Sequence, residues 1–114
     1  MLAIPEQVQG MAFTKSEKIV FSTSYGRKNN SNIYIFDDVL ANEKVDTITI
    51  DNHPIDVLAC SSDYLLKEII APPMAEGLAN TADGIYMLFE SGASKYRSHR
   101  GENPVENVYF TTIE

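Results

Sequence analysis

The chain has one cysteine, Cys60, no tryptophan, and nine basic residues against sixteen acidic ones. Each shortage excludes something. A lone cysteine cannot close an internal disulfide, so no disulfide framework holds this fold. In Val57-Leu58-Ala59-Cys60 it reads as a small apolar core residue. No motif sets His53 or His99 beside it, and no zinc-ligand spacing links the three. The formal net charge of -7 argues against nucleic acid as a principal partner, because gripping a phosphate backbone takes clustered Lys and Arg. The local exception, Lys95-Tyr96-Arg97-Ser98-His99-Arg100, reads as a solvated loop that nothing else basic reinforces. Missing tryptophan weakens the case for a sugar-stacking site. There is no apolar run of about 18 residues, which excludes insertion of a helix into a bilayer. The opening Met1-Leu2-Ala3-Ile4-Pro5-Glu6 lacks the basic start and apolar centre of a signal peptide. Helical periodicity is nearly absent.

What remains is strand-like. With 114 residues, 44% of them hydrophobic and 22% charged, the chain suffices for one compact domain. Alternating β-branched and aromatic runs between short polar spacers predict an antiparallel all-β fold. Strands are expected near residues 10–14, 18–25, 32–36, 46–50, 66–70, 77–80, 85–90 and 105–113. Residues 55–66, with Cys60 and Ser61-Ser62-Asp63 following Pro54, read equally as a strand with a turn or as a short helix. Lys15-Ser16-Glu17-Lys18 and Ala82-Asp83-Gly84 read as hairpin turns. Gly26 to Asn32 is a polar surface connection containing a formal glycosylation acceptor, Asn29-Asn30-Ser31. Pro72-Pro73 cannot sit mid-sheet and marks a boundary, with Pro5 in the matching place earlier.

Two segments match at an offset of 67 residues. Gln9-Gly10-Met11-Ala12 falls on Glu76-Gly77-Leu78-Ala79, each leading into a turn and an apolar strand. With one extra residue in the first hairpin, Phe21 to Gly26 falls on Met87 to Gly92. The expected organisation is a first β-meander over about residues 5–52, a connecting segment over about 53–65, and a second meander over about 66–114. Such a unit cannot bury its own face and must stack on a neighbour.

The stretch Pro72-Pro73-Met74-Ala75-Glu76-Gly77-Leu78-Ala79, then Asp83-Gly84-Ile85-Tyr86-Met87, resembles blades of six-bladed β-propellers of the NHL and gluconolactonase-like type. Val8 to Phe13 with Ile19-Val20-Phe21 is similar but has Glu17-Lys18 in place of Asp-Gly. The pieces Ser22 to Arg27 and Phe89 to Arg97 also resemble the C-terminal part of larger bacterial propeller-like proteins, often exported. This resemblance implies a partial propeller whose partners are further copies of the chain or the remainder of a longer one. The alternative is a small β-sandwich in which the two meanders face each other. Propellers close with about four to eight blades, so two alone should leave faces and edges open.

Candidate site residues follow from that frame. Gln9 and Glu76 begin the strands that line a propeller channel. In gluconolactonase-like enzymes a Glu before Gly ligates metal, so the resemblance implies Glu76 as a ligand for a divalent ion such as calcium, within a metal-dependent hydrolase. Gln9 is a poorer ligand, and hydrogen bonding to backbone is the plainer role for both. From the residues themselves no cofactor is expected. The second candidate group is the polar end of each second strand: Ser24, Tyr25 and Arg27, with Glu90, Ser91, Tyr96 and Arg97. Glu90 is expected to pair with Arg27 or Arg97, as carboxylate and guanidinium do through two hydrogen bonds. Ser91 lacks the flanking glycines of a nucleophile elbow. The aromatic strands Ile33-Tyr34-Ile35-Phe36 and Val108-Tyr109-Phe110 read as core. A binding or scaffolding module is the leading expectation.

Overall fold

The structure, a computed structural model, describes residues 1–81, 84–90 and 108–112. It is all-β. Among the described residues ten strands run in chain order: β1 (Leu2–Ala3), β2 (Val8–Phe13), β3 (Ile19–Thr23), β4 (Ser31–Phe36), β5 (Asp46–Ile50), β6 (His53–Ala59), β7 (Leu65–Ala71), β8 (Ala75–Asn80), β9 (Ile85–Phe89) and β10 (Tyr109–Thr111). They form three sheets, ordered β2-β3-β4-β7, β8-β9-β10 and β1-β6-β5. Every pairing is antiparallel except that of β1 with β6.

The segment that reads two ways from sequence is strand β6 followed by a single 3-10 turn, Ser62–Tyr64. Its strand pairs with β5 through Asp51 and Asn52, which both carry positive φ, at 50° and 66°. That is the two-residue hairpin turn whose twist matches its strands. Pro54 fits within β6 because β1 reaches only Leu58 and Ala59, leaving the proline on an edge. The expected division near residue 66 moves: β7 pairs with β4 along its length and completes the first sheet. Sheet membership changes at Pro72-Pro73.

Three local features recur 67 residues apart. Gln7 and Met74 are both left-handed, with φ of 60° and 65°. Their carbonyls accept from the amides of Ser24 (3.1 Å) and Glu90 (3.0 Å), closing the first and second sheets in the same way. Next, the β2-β3 register slips between Val8 and Gly10, and the β8-β9 register slips between Ala75 and Leu78. One extra residue in each leading strand, Gln9 or Glu76, makes a bulge there, which bends the strand. Finally, each hairpin closes on a threonine. The Thr14 amide donates to the Lys18 carbonyl at 3.0 Å, with Glu17 left-handed at φ 63°, and the Thr81 amide donates to the Gly84 carbonyl at 2.9 Å. The expected Asp-Gly turn lies partly outside the described residues, at 82 and 83.

β3 lies in the middle of the molecule and is buried along its whole length. Its residues alternate between two apolar clusters. Val20, with Ala12, Ile33, Ile35 and Ala71, meets Ala75, Ile85, Met87 and Phe89 of the second sheet. Ile19 and Phe21, with Phe36 and Val39, pack on the other face beneath Leu2, Leu58, Cys60 and Tyr64. Burying each such side chain contributes roughly 1.5–3 kcal/mol. The first sheet is therefore covered on both faces, contrary to the expectation of open ones, because β1, the end of β6 and the 3-10 turns supply a lid. The β5-β6 hairpin beyond that lid projects: of residues 43–54 only Ile48 is half-buried and the rest are exposed.

Candidate functional site

The best-built polar geometry lies at the seam between the first and second sheets. There the Glu76 carbonyl of the β8 bulge points onto the face of β2 and β3. It accepts a hydrogen bond from Ser22 Oγ at 2.7 Å. A Cβ on Gly10 would stand 2.0 Å from that oxygen, so only glycine lets the two backbones meet. One strand further, the amide of Ala75 donates to Ser31 Oγ at 2.9 Å. Ser22, Thr23 and Ser31 are buried polar residues, and each has its partner, with Thr23 Oγ1 donating to the Asn32 carbonyl at 3.0 Å. These hydroxyls join sheets and strands. Their chemistry is structural.

Gln9 and Glu76 occupy corresponding bulges, Gln9 exposed and Glu76 half-buried. What brings the two strands together is the Glu76 backbone. Among the described residues no three His, Cys, Asp or Glu side chains gather in a way that would hold a metal ion. Ser24 is half-buried and Tyr25 exposed. Arg27 and Glu90 are half-buried, and each engages a neighbouring group. Ser91, Tyr96 and Arg97 lie outside the described residues, as does the basic run that ends at Arg100.

A second polar group joins Tyr25 to residues that patterning alone does not single out. Asn32 Nδ2 donates to the Tyr34 hydroxyl at 3.2 Å and to Glu68 Oε1. Burial pushes the Tyr34 phenol above its ordinary range, and the neighbouring Tyr25 hydroxyl and Glu68 carboxylate push the same way against the Asn32 hydrogen bond. Tyr34 sits in a strand that reads as core, and its partners Ile33, Ile35 and Phe36 are indeed buried. Glu68 comes from β7, which pairing, rather than any motif, delivers to this sheet. The group offers phenols, an amide and a carboxylate near the surface, a set suited to hydrogen-bonding recognition.

Cys60 is half-buried and packs against the second cluster, and burial pushes its thiol up, away from the reactive thiolate. Val108, Tyr109 and Phe110 depart from expectation: they are 55%, 46% and 44% exposed. Val108 and Phe110 lie on the outer side of the second sheet, which has no layer over it among the described residues, whereas Tyr109 pairs with the buried Met87 and packs edge-on against Phe89. Compared with protein-family models, with curated proteins and with solved structures, the chain matches none of them.

Proposed function

We propose that this chain is a pair of successive propeller-type blades acting as a binding and assembly scaffold, with no catalytic centre of its own. The observation that carries the reading is the seating of the β8 bulge on Gly10 and Ser22. It stacks the leading strand of one meander on the leading strands of the other, as consecutive blades stack. The shared left-handed residue, bulge and hairpin closure support the same unit being used twice. Buried hydroxyls committed to joining sheets are what a scaffold needs.

The test separates scaffold from metal enzyme. Thermal melting in millimolar calcium or zinc should show no stabilising shift, since a site with a Kd far below the added concentration raises stability by mass action. Glu76→Gln should melt as the parent chain does. A calcium-dependent rise in melting temperature that Glu76→Gln abolishes would overturn the reading in favour of a metal centre.

A further inference from the structure

The lid over the first sheet is attached unevenly. β6 runs on through the 3-10 turn Ser62–Tyr64 into β7 of that sheet, and the Asp37 amide donates to the Tyr64 carbonyl at 2.9 Å. β1 is held far less firmly. It has two residues, lies at the edge of the β1-β6-β5 sheet, and makes the one parallel pairing among the described strands. Parallel pairing is slightly weaker per residue than antiparallel. The Met1 nitrogen donates to the Asp56 carbonyl at 3.0 Å, and the amides of Leu58 and Cys60 donate to the carbonyls of Met1 and Ala3, each at 2.9 Å.

One side chain anchors this strand. Leu2 is half-buried against the second apolar cluster, whereas Met1, Ala3, Ile4 and Glu6 are exposed. Residues 4–6 form a leash to Gln7, whose carbonyl accepts from the Ser24 amide and so fixes the far end. A half-buried leucine and a few edge hydrogen bonds must offset the ordering of the whole segment. Such a balance gives a unit that opens by itself, ahead of the rest of the fold.

We infer that residues 1–3 form a detachable strap, which guards the β6 edge and the second apolar cluster when closed and opens while the four-stranded sheet stays folded. Leu2 pairs with Leu58, and Cys60, two residues on, shares that face of β6. Both side chains pack with Leu2 over Ile19, Phe21 and Phe36. With the strap lifted, the amides of Leu58 and Cys60 lose their acceptors, and β6 presents an unpaired edge beside an apolar cluster. That is the combination to which an extended strand of another chain adds. The closed strap is therefore an autoinhibitory strand: the chain's own segment fills the place such a strand would take. Opening also leaves the projecting β5-β6 hairpin with two strands at its root instead of three, and a two-stranded ribbon is marginal by itself.

Native-state amide exchange of the intact chain tests the strap. The Leu58 and Cys60 amides should exchange about a hundredfold or more faster than those of Val20 and Phe21 in β3, and their rates should barely respond to low urea, because local opening exposes little surface. Leu2→Ser removes the anchor and should quicken both amides by about tenfold or more, while the β3 amides keep their protection. The thiol of Cys60, the single cysteine, should react with a thiol reagent faster by a similar factor. Ile4→Ser, on the exposed leash, serves as control and should match the parent in both measurements. Leu58 and Cys60 amides that exchange only together with β3, by global unfolding, overturn the inference. So do parent-like rates in Leu2→Ser, or equal quickening in Ile4→Ser. Should Leu2→Ser fail to fold, the exchange pattern of the parent chain still decides the matter.

Discussion

The Ser22 hydroxyl donates to the Glu76 carbonyl across 2.7 Å, and this bond ties the most deeply buried strand of the molecule to the bulge of the neighbouring sheet. Ser22→Ala removes the donor while leaving the strands otherwise unchanged. A loss of about 1 kcal/mol is expected, rising toward about 3 kcal/mol if the carbonyl stays dry. Urea denaturation measures it, and amide exchange should quicken in β8 more than in β4. Equal stability of the two proteins would mean that the bond contributes nothing net.

The two matching glycines should respond in opposite directions. A Cβ on Gly10 meets the Glu76 backbone at 2.0 Å, whereas one on Gly77 meets Leu88 Cβ at 3.4 Å, an ordinary contact. Gly10→Ala must therefore push β8 off its seat, with a loss of about 1–3 kcal/mol as overpacking gives. Gly77→Ala should be neutral or gain up to about 1 kcal/mol, because glycine is a poor strand residue. The comparison is made on melting temperatures in dilute solution. If Gly10→Ala melts no lower than Gly77→Ala, the close approach of β8 to β2 is wrong.

Much of this fold was legible beforehand, and the reasons differ by element. Alternation exposed β2 and β4, whose sides face different surroundings, while short β-branched and aromatic apolar runs between turn signals exposed β3 and β9, the first of them buried on both sides. The 67-residue offset of Gly10 and Gly77 was readable as sequence, while the close approach that demands Gly10 was not, since it is a contact between distant strands. The β5-β6 hairpin stayed hidden for a local reason. Asp51-Asn52 supplies two left-handed residues without the glycine that usually announces such a turn, and Pro54 then disguises the following strand. The membership of β7 is a matter of long-range pairing, which composition does not encode, and with it went Glu68 and the polar group around Tyr34.

That polar group gives the chain an alkaline limit. The Tyr34 phenol is raised in the folded protein, so the folded state keeps its proton to higher pH than the unfolded state does. Its contribution is fully present below the ordinary phenol range and is lost as pH rises through the folded value, above about pH 10. Melts between pH 9 and pH 11 should fall more steeply for the parent than for Tyr34→Phe. Difference absorbance near the phenolate band should show one tyrosine titrating late. Superimposable pH profiles for the two proteins would show that the shift carries no stability.

Gln7 and Met74 share a left-handed backbone but not an environment, and glycine substitution should separate the two. The left-handed region costs a residue with a Cβ roughly 1–2 kcal/mol, while glycine pays more entropy on folding. Gln7 is exposed, so Gln7→Gly should gain about 0.5–1 kcal/mol from the relieved backbone. Met74 is 7% exposed, and its side chain is lost along with the strain. Removing a buried methionine side chain destabilises by about 2–5 kcal/mol, which outweighs the backbone relief. Met74→Gly should therefore be less stable than the parent by about 1–4 kcal/mol. Chemical denaturation of both variants decides the matter: a gain at both positions would mean that Met74 packs loosely, and a loss at both would mean that the backbone at residue 7 is not strained.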